Sequence, residues 1–427
     1  MTRKLDAAAI TRRSVLWLGT GLGVGALVGC SSSSTASPAA SASGSASTST
    51  SAAAAGNTKL SAGTYEATFT SSQSGPGGGG GTQKLSGAYL VDGIAATIDG
   101  GTWASTSADQ NVFLVVNGGS LTLKNATITK SGDSTNEDAC NFYGLNSAIL
   151  VVGDKSSVTV TNCTVTTASE GSNALFAAGS GSLTANTVTI ATTKNSSRGL
   201  DATYAGIITA QNMTIDTKGA HCACVATDRG NGTIKVTGTN KLTAAGDGSP
   251  CIYSTGDISV SGATGSAAIS QTMVIEGQNS ITLADSTLTS GGGAGMMIYQ
   301  SFSGDAASSD STSSKATMTI GNSKVTASGS VPMIYVTNTT CVVNVTGSTL
   351  THPAASPLLS LAEDKWGTSG SNGGHATVTF AGCTLTGAMT AGSSSAAAVA
   401  LTNSTKLTGS TSGSVTVTKD GTSSMAA

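Results

Sequence analysis

Three carboxylates and one arginine in the middle of this chain are of the types that act on a glycosidic bond. They are Asp201, Asp228, Glu276 and Arg229. Two opposed carboxylates can share general-acid and general-base or nucleophile duties. Asp228 and Glu276 lie two repeats apart, about 9–10 Å at the spacing of stacked strands. That is near the span used by inverting glycosidases. No catalytic triplet or adjacent Asp pair accompanies them, and lone acids at strand corners commonly form turns. Catalysis is therefore the alternative reading.

A second set suits binding. Tyr253, Glu276, Tyr299 and Tyr335 each follow an isoleucine, and Gln300 and Asp257 lie close by in sequence. If Ile252, Ile275, Ile298 and Ile334 point into a core, the four neighbours form one exposed row across successive strands. Aromatic faces beside carboxylates and amides fit sugar rings. Ordinary cross-strand stacking would explain the same row. Phe302 and Trp366 are placed to wall it. His221, His352 and His375 are too scattered for a metal centre. No cofactor is expected, and no ligand set for calcium is legible.

What positions these residues is a repeat. Val158-Thr-Val-Thr-Asn162-Cys-Thr-Val-Thr166 returns as Leu121–Thr129, Ile281–Thr289, Met318–Thr326, Val343–Thr351 and Val378–Thr386. Weaker copies centre on Gly100, Asn186, Asn212, Gly238, Gly262 and Asn403. Most intervals lie near 24 residues, and three carry an insertion of about a dozen more. Apolar residues alternate with Thr or Ser on either side of an Asn, Asp or Gly that accepts a left-handed turn. The position after the turn is small in nearly every copy, from Ala126 and Cys163 to Ser404, with Met213 the exception. Such short strands bury their apolar face only by stacking on the next copy.

The expected fold is all-β, a single right-handed parallel β-helix of the pectate-lyase type. Twelve centres imply about twelve coils and a rod on the order of 60 Å long. A β-propeller would need blades of about 40 residues. The insertions fall at 130–146, 301–315 and 363–375, where function usually resides. Cys224 and Cys251 occupy equivalent places in consecutive coils, which suits either a disulfide or a small apolar ladder.

The first residues belong to export rather than to the rod. Thr11-Arg12-Arg13-Ser14-Val15-Leu16 resembles a twin-arginine signal, and Leu27-Val28-Gly29-Cys30 resembles a bacterial lipobox. Residues 1–29 are expected to be a signal peptide and Cys30 a lipidated anchor. Residues 31–58, nearly all Ser, Ala and Thr, are expected to be a flexible tether. The β-helix is expected over 59–427. The protein would thus be extracytoplasmic and held to a bacterial membrane by its lipid. Its formal net charge of -2, without a basic block beyond the N-terminus, argues against a nucleic-acid partner.

The region from Ser120 to Thr408 resembles bacterial β-helix surface proteins of the adhesin-like or carbohydrate-binding kind. The resemblance rests on Asn141–Asn146, Ala226–Gly230, Ser249–Asp257, Val274–Gly277, Met297–Asp305 and Trp366–Gly374. It implies a surface protein whose partner is a polysaccharide or another glycan. The expected binding residues are Asp228, Arg229, Tyr253, Asp257, Glu276, Tyr299, Gln300 and Tyr335. A polysaccharide lyase or glycoside hydrolase is the alternative. Ice binding through the Thr-x-Thr repeats and a spacer role stand behind it.

Overall fold

The structure, a computed structural model, describes residues 56–71, 81–301 and 315–427. Cys30, the signal, most of the tether, Phe302 and most of the 301–315 insertion lie outside those residues.

The chain winds into a right-handed parallel β-helix. Each coil contributes one strand to each of three faces, as in Asn111–Val116, Ser120–Lys124 and Thr127–Lys130. The first face is a 14-stranded sheet, the second has 13 strands and the third has 10, continued by a 3-stranded piece. In the first sheet only Tyr65–Thr70 runs antiparallel, against Thr82–Asp92. The remaining 13 strands make one coil more than the repeat count suggests. The extra coil is the last: Val415–Lys419 keeps the alternating pattern, but the corner after it, residues 420–423, is longer than in the repeat.

The corner between the second and third faces follows the sequence logic. Asn125, Asn162, Asn212, Asp285 and Asn322 take positive φ there, and Gly238, Gly262, Gly347 and Gly382 do the same in other coils. The Asn side chains also bond along the rod: Asn162 Nδ2 donates to Asn125 Oδ1 at 2.6 Å. One coil shifts by a residue. Thr187, not Asn186, carries the positive φ, so buried Val188 takes the place expected of a small residue.

Inside, equivalent residues stack in columns. One runs through Ile98, Leu123, Val160 and Ala185, and another through Val225, Ile252, Met273, Met296 and Ile334. Stacked burial of this kind, at about 25 cal/mol per Å² of apolar area, is what favours the coil over an isolated strand. All seven described cysteines are free and buried. Cys224 and Cys251 therefore belong to the apolar interior rather than to a disulfide.

Candidate functional site: a covered face with one open groove

The outward side of the first sheet carries a second layer. Its central row reads Leu114, Leu150, Phe176, Asp201, Ala226, Tyr253, Val274, Met297, Tyr335 and Ser360. This register corrects the expected row. All four isoleucines do point inward, but Ile275 and Ile298 sit two residues further along their strands than Ile252 and Ile334. Met273 and Met296 occupy the matching core positions. Tyr253 and Tyr335 therefore share one row, while Glu276 and Tyr299 pair in the next.

Three of the four residues of the expected row are also not exposed. Glu276 is 4% and Tyr299 1% accessible, and Tyr253 is buried as well. Two separate lids cover the sheet. Over the first half lie a short helix, α1 (Glu137–Tyr143), and Phe69 from the edge strand Tyr65–Thr70. The Asn136 side chain caps α1 and Gly144 ends it at φ 68°. A Cβ at Gly144 would come within 2.7 Å of Leu150 Cδ1, so only glycine lets the helix end approach the sheet this closely. Phe142 packs there with Phe69, Leu150 and Phe176. Over the second half lies the 363–375 segment. Trp366 packs on Tyr299 at 4.6 Å between ring centres, covering it rather than walling an open row.

Between the lids the row turns polar, and most of the expected catalytic residues gather there under cover. Arg198 pairs with Asp228 at 3.0 Å and with Asp201 at 3.6 Å. Its guanidinium also donates to Asn141 of α1. Asp201 and Asp228 are 0% accessible. Arg229 sets its guanidinium 3.7 Å from the centre of the Phe142 ring, a cation–π contact that helps hold α1 down. Glu276 belongs to a different cluster. Its carboxylate accepts hydrogen bonds from Tyr299 Oη at 2.7 Å, and from Tyr253 Oη and Ser301 Oγ. Burial, and then the carboxylate, push the Tyr299 phenol well above its ordinary range, so it stays a donor.

Asp228 is thus engaged by Arg198, and Glu276 by two phenols and the Ser301 hydroxyl, both under cover. Asp257 is corrected more sharply. It lies on the second sheet, exposed, where Ser280 Oγ donates to it at 2.5 Å. The Gln300 backbone carbonyl accepts from Asn338 Nδ2 at 2.7 Å.

One part of the face stays open. A groove of about 360 Å³ runs across five successive coils, from Gly248 through Gln271, Gly293 and Pro332 to Asp364. Met297, Tyr335 and Ser360 form its floor. Ile269, 55% accessible, stands on one rim. On the other, Asp364 Oδ2 accepts from Tyr335 Oη at 2.8 Å, which fixes the ring. Burial, and then this carboxylate, hold the Tyr335 phenol protonated above its usual range. Of the expected binding residues, only Tyr335 lines the groove. Met297, Gln271, Glu363 and Asp364 were missed as lining. Asp364 stands two residues before Trp366, and the Tyr335 row would have pointed to Met297 had its register been right. A second groove, of about 430 Å³, lies by the start of α1, lined by Glu137, Glu170, Ser196 and His221 among others.

Among the described residues no group of three or more His, Cys, Asp or Glu could hold a metal ion, and no helix is long and apolar enough to cross a membrane. No protein-family model matches the chain, and no curated protein does. Among solved structures, the chain is similar to the catalytic domain of a GH87 α-1,3-glucanase variant in complex with tetrasaccharides, at 12% identity and a TM-score of 0.36. The match covers 78% of this chain and spans 62% of that one.

Proposed function

We propose that this protein is a lipid-anchored, adhesin-like β-helix of the bacterial cell envelope that binds a polysaccharide in the groove over Met297 and Tyr335. The observation that carries the reading is the groove itself. Among the described residues that line it, the Tyr335 ring and the Glu363 and Asp364 carboxylates border an open run of several coils, over a floor that includes Met297. Sugar rings offer apolar C–H faces to such a floor and hydroxyls to such rims. The anchor part rests on the sequence: the Gly29-Cys30 lipobox, the twin arginines and the Ser/Ala/Thr tether. A tethered rod would hold the groove clear of the membrane.

A glycan array probed with the 57–427 chain and with Tyr335→Ala tests the binding reading. Loss of the array signal in the variant supports it. Unchanged binding removes the groove from the account. Lyase or hydrolase activity has thinner support, because Asp201, Asp228, Arg229 and Glu276 are engaged in the packing of the face. Incubating pectins and other glycans with the protein, and looking for new reducing ends or unsaturated products, checks that alternative directly.

A further inference from the structure

We infer that the groove selects glycans bearing free amino groups, such as glucosamine polymers, and discriminates against polyuronates. This rests on the groove reading above and adds its charge preference. The only charged side chains among the lining residues are Glu363 and Asp364, both acids on one rim. Lys365 follows them in the chain, yet its ammonium lies over the Trp366 ring at 4.8 Å instead of joining the lining. Both carboxylates are held in place by hydrogen bonds. Glu363 accepts from Ser394 Oγ and from the Gly370 N–H, and these bonds hold its carboxyl below the usual range. Asp364 accepts from Tyr335 Oη and from the Lys365 N–H at 2.7 Å.

The geometry fits a chain ligand. Five coils give a run of about 19 Å along the helix axis, at 4.8 Å per step. Tyr335, beside buried Met297 across one such step, gives a sugar ring an apolar footing on the groove floor. The acidic rim then meets one edge of the chain. Amino groups on that edge gain charge-assisted hydrogen bonds. Carboxylates on it meet like charge at short range. Neutral glycans gain the footing alone.

The test uses oligomers of equal length from three sources: glucosamine, its N-acetylated form and galacturonate. Binding to the 57–427 chain is read by titration calorimetry at low and at high salt. The expected order is glucosamine over N-acetylglucosamine by at least tenfold at low salt, with galacturonate weakest and the gap shrinking as salt rises. Glu363→Gln and Asp364→Asn, each alone, should narrow the gap between glucosamine and its acetylated form. If galacturonate or the acetylated oligomer binds as well as glucosamine through Tyr335, the charge preference is wrong and the glycan groove stands. If none binds, both fall. If an oligolysine peptide of matched charge binds tighter than any sugar, the partner is a protein and the preference for amino sugars is overturned.

Discussion

Arg198 holds the polar gap between the two lids, and its removal should be among the costliest changes in the protein. Two carboxylates with no access to water face one guanidinium at 3.0 and 3.6 Å. At an effective dielectric of about 20, each contact is worth about 5 kcal/mol of attraction before desolvation is subtracted. Arg198→Met keeps much of the side-chain volume but strands both acids, and removing one partner of a buried pair costs about 3–5 kcal/mol. It also removes the bond to Asn141, so α1 should loosen with it. Urea denaturation followed by circular dichroism measures the loss. Hydrogen exchange should show it concentrated at residues 137–145 and 198–203. Adding Asp228→Asn to the variant should recover part of the stability, because one of the stranded charges is gone. A loss below about 1 kcal/mol, or no recovery in the double variant, would refute the view that Arg198 is what neutralises this pair.

Trp366→Ala should open the second lid without unfolding the rod, costing about 3 kcal/mol from a large buried ring; proteolysis within 363–375 and faster exchange at Tyr299 are the readouts. A thiol-reactive probe should label none of the seven described cysteines in the native protein and all of them in denaturant, since each is buried; rapid native labelling of Cys224 or Cys251 would contradict the packed interior. Stability should fall as pH rises from 9 towards 12. Burial pushes the Cys140, Cys222, Cys251 and Cys341 thiols from 9.0 up to about 12, so the unfolded chain releases these protons first and the native state loses ground through that window. Lys130 acts with the opposite sign. Burial lowers it from 10.5 to about 8, so between those values the unfolded chain holds the extra proton and rising pH favours the fold. One lysine against four thiols leaves the thiols dominant, and a melting temperature that stays flat up to pH 11 would show that they are not shielded as described.

The repeat made the fold legible. Alternating Val, Ile and Thr around an Asn, Asp or Gly turn specifies coil, corner and stacking direction at once, and the same pattern recurs from Gly100 to Asn403. The site was less legible, for a physical reason. A two-residue slip of register keeps the inward and outward pattern intact, because side chains alternate with a period of two. Ile275 and Ile298 looked equivalent to Ile252 and Ile334, and the slip put Glu276 and Tyr299 in the wrong row without violating any local rule. Coverage was hidden for another reason. A β-helix strand shows one apolar face to its core, and nothing local reveals that Phe176 and Val274 on the other side lie under a helix or a loop far along the chain. The insertions at 130–146 and 363–375, expected to carry function, both act as lids, and the second also supplies Glu363 and Asp364 to the groove. Arg198 went unnoticed because its partners are 3 and 30 residues away.

The central claim is that a glycan lies in the groove over Met297 and Tyr335 while the rest of the face is sealed. Hydrogen exchange of the 57–427 chain, with and without the strongest-binding oligosaccharide from the array, tests it most directly. The account predicts new protection at residues 269–271, 292–297, 331–335 and 360–364, with none on the threonine-rich third sheet. Protection that falls on that third sheet, or that spares 331–335, would contradict it.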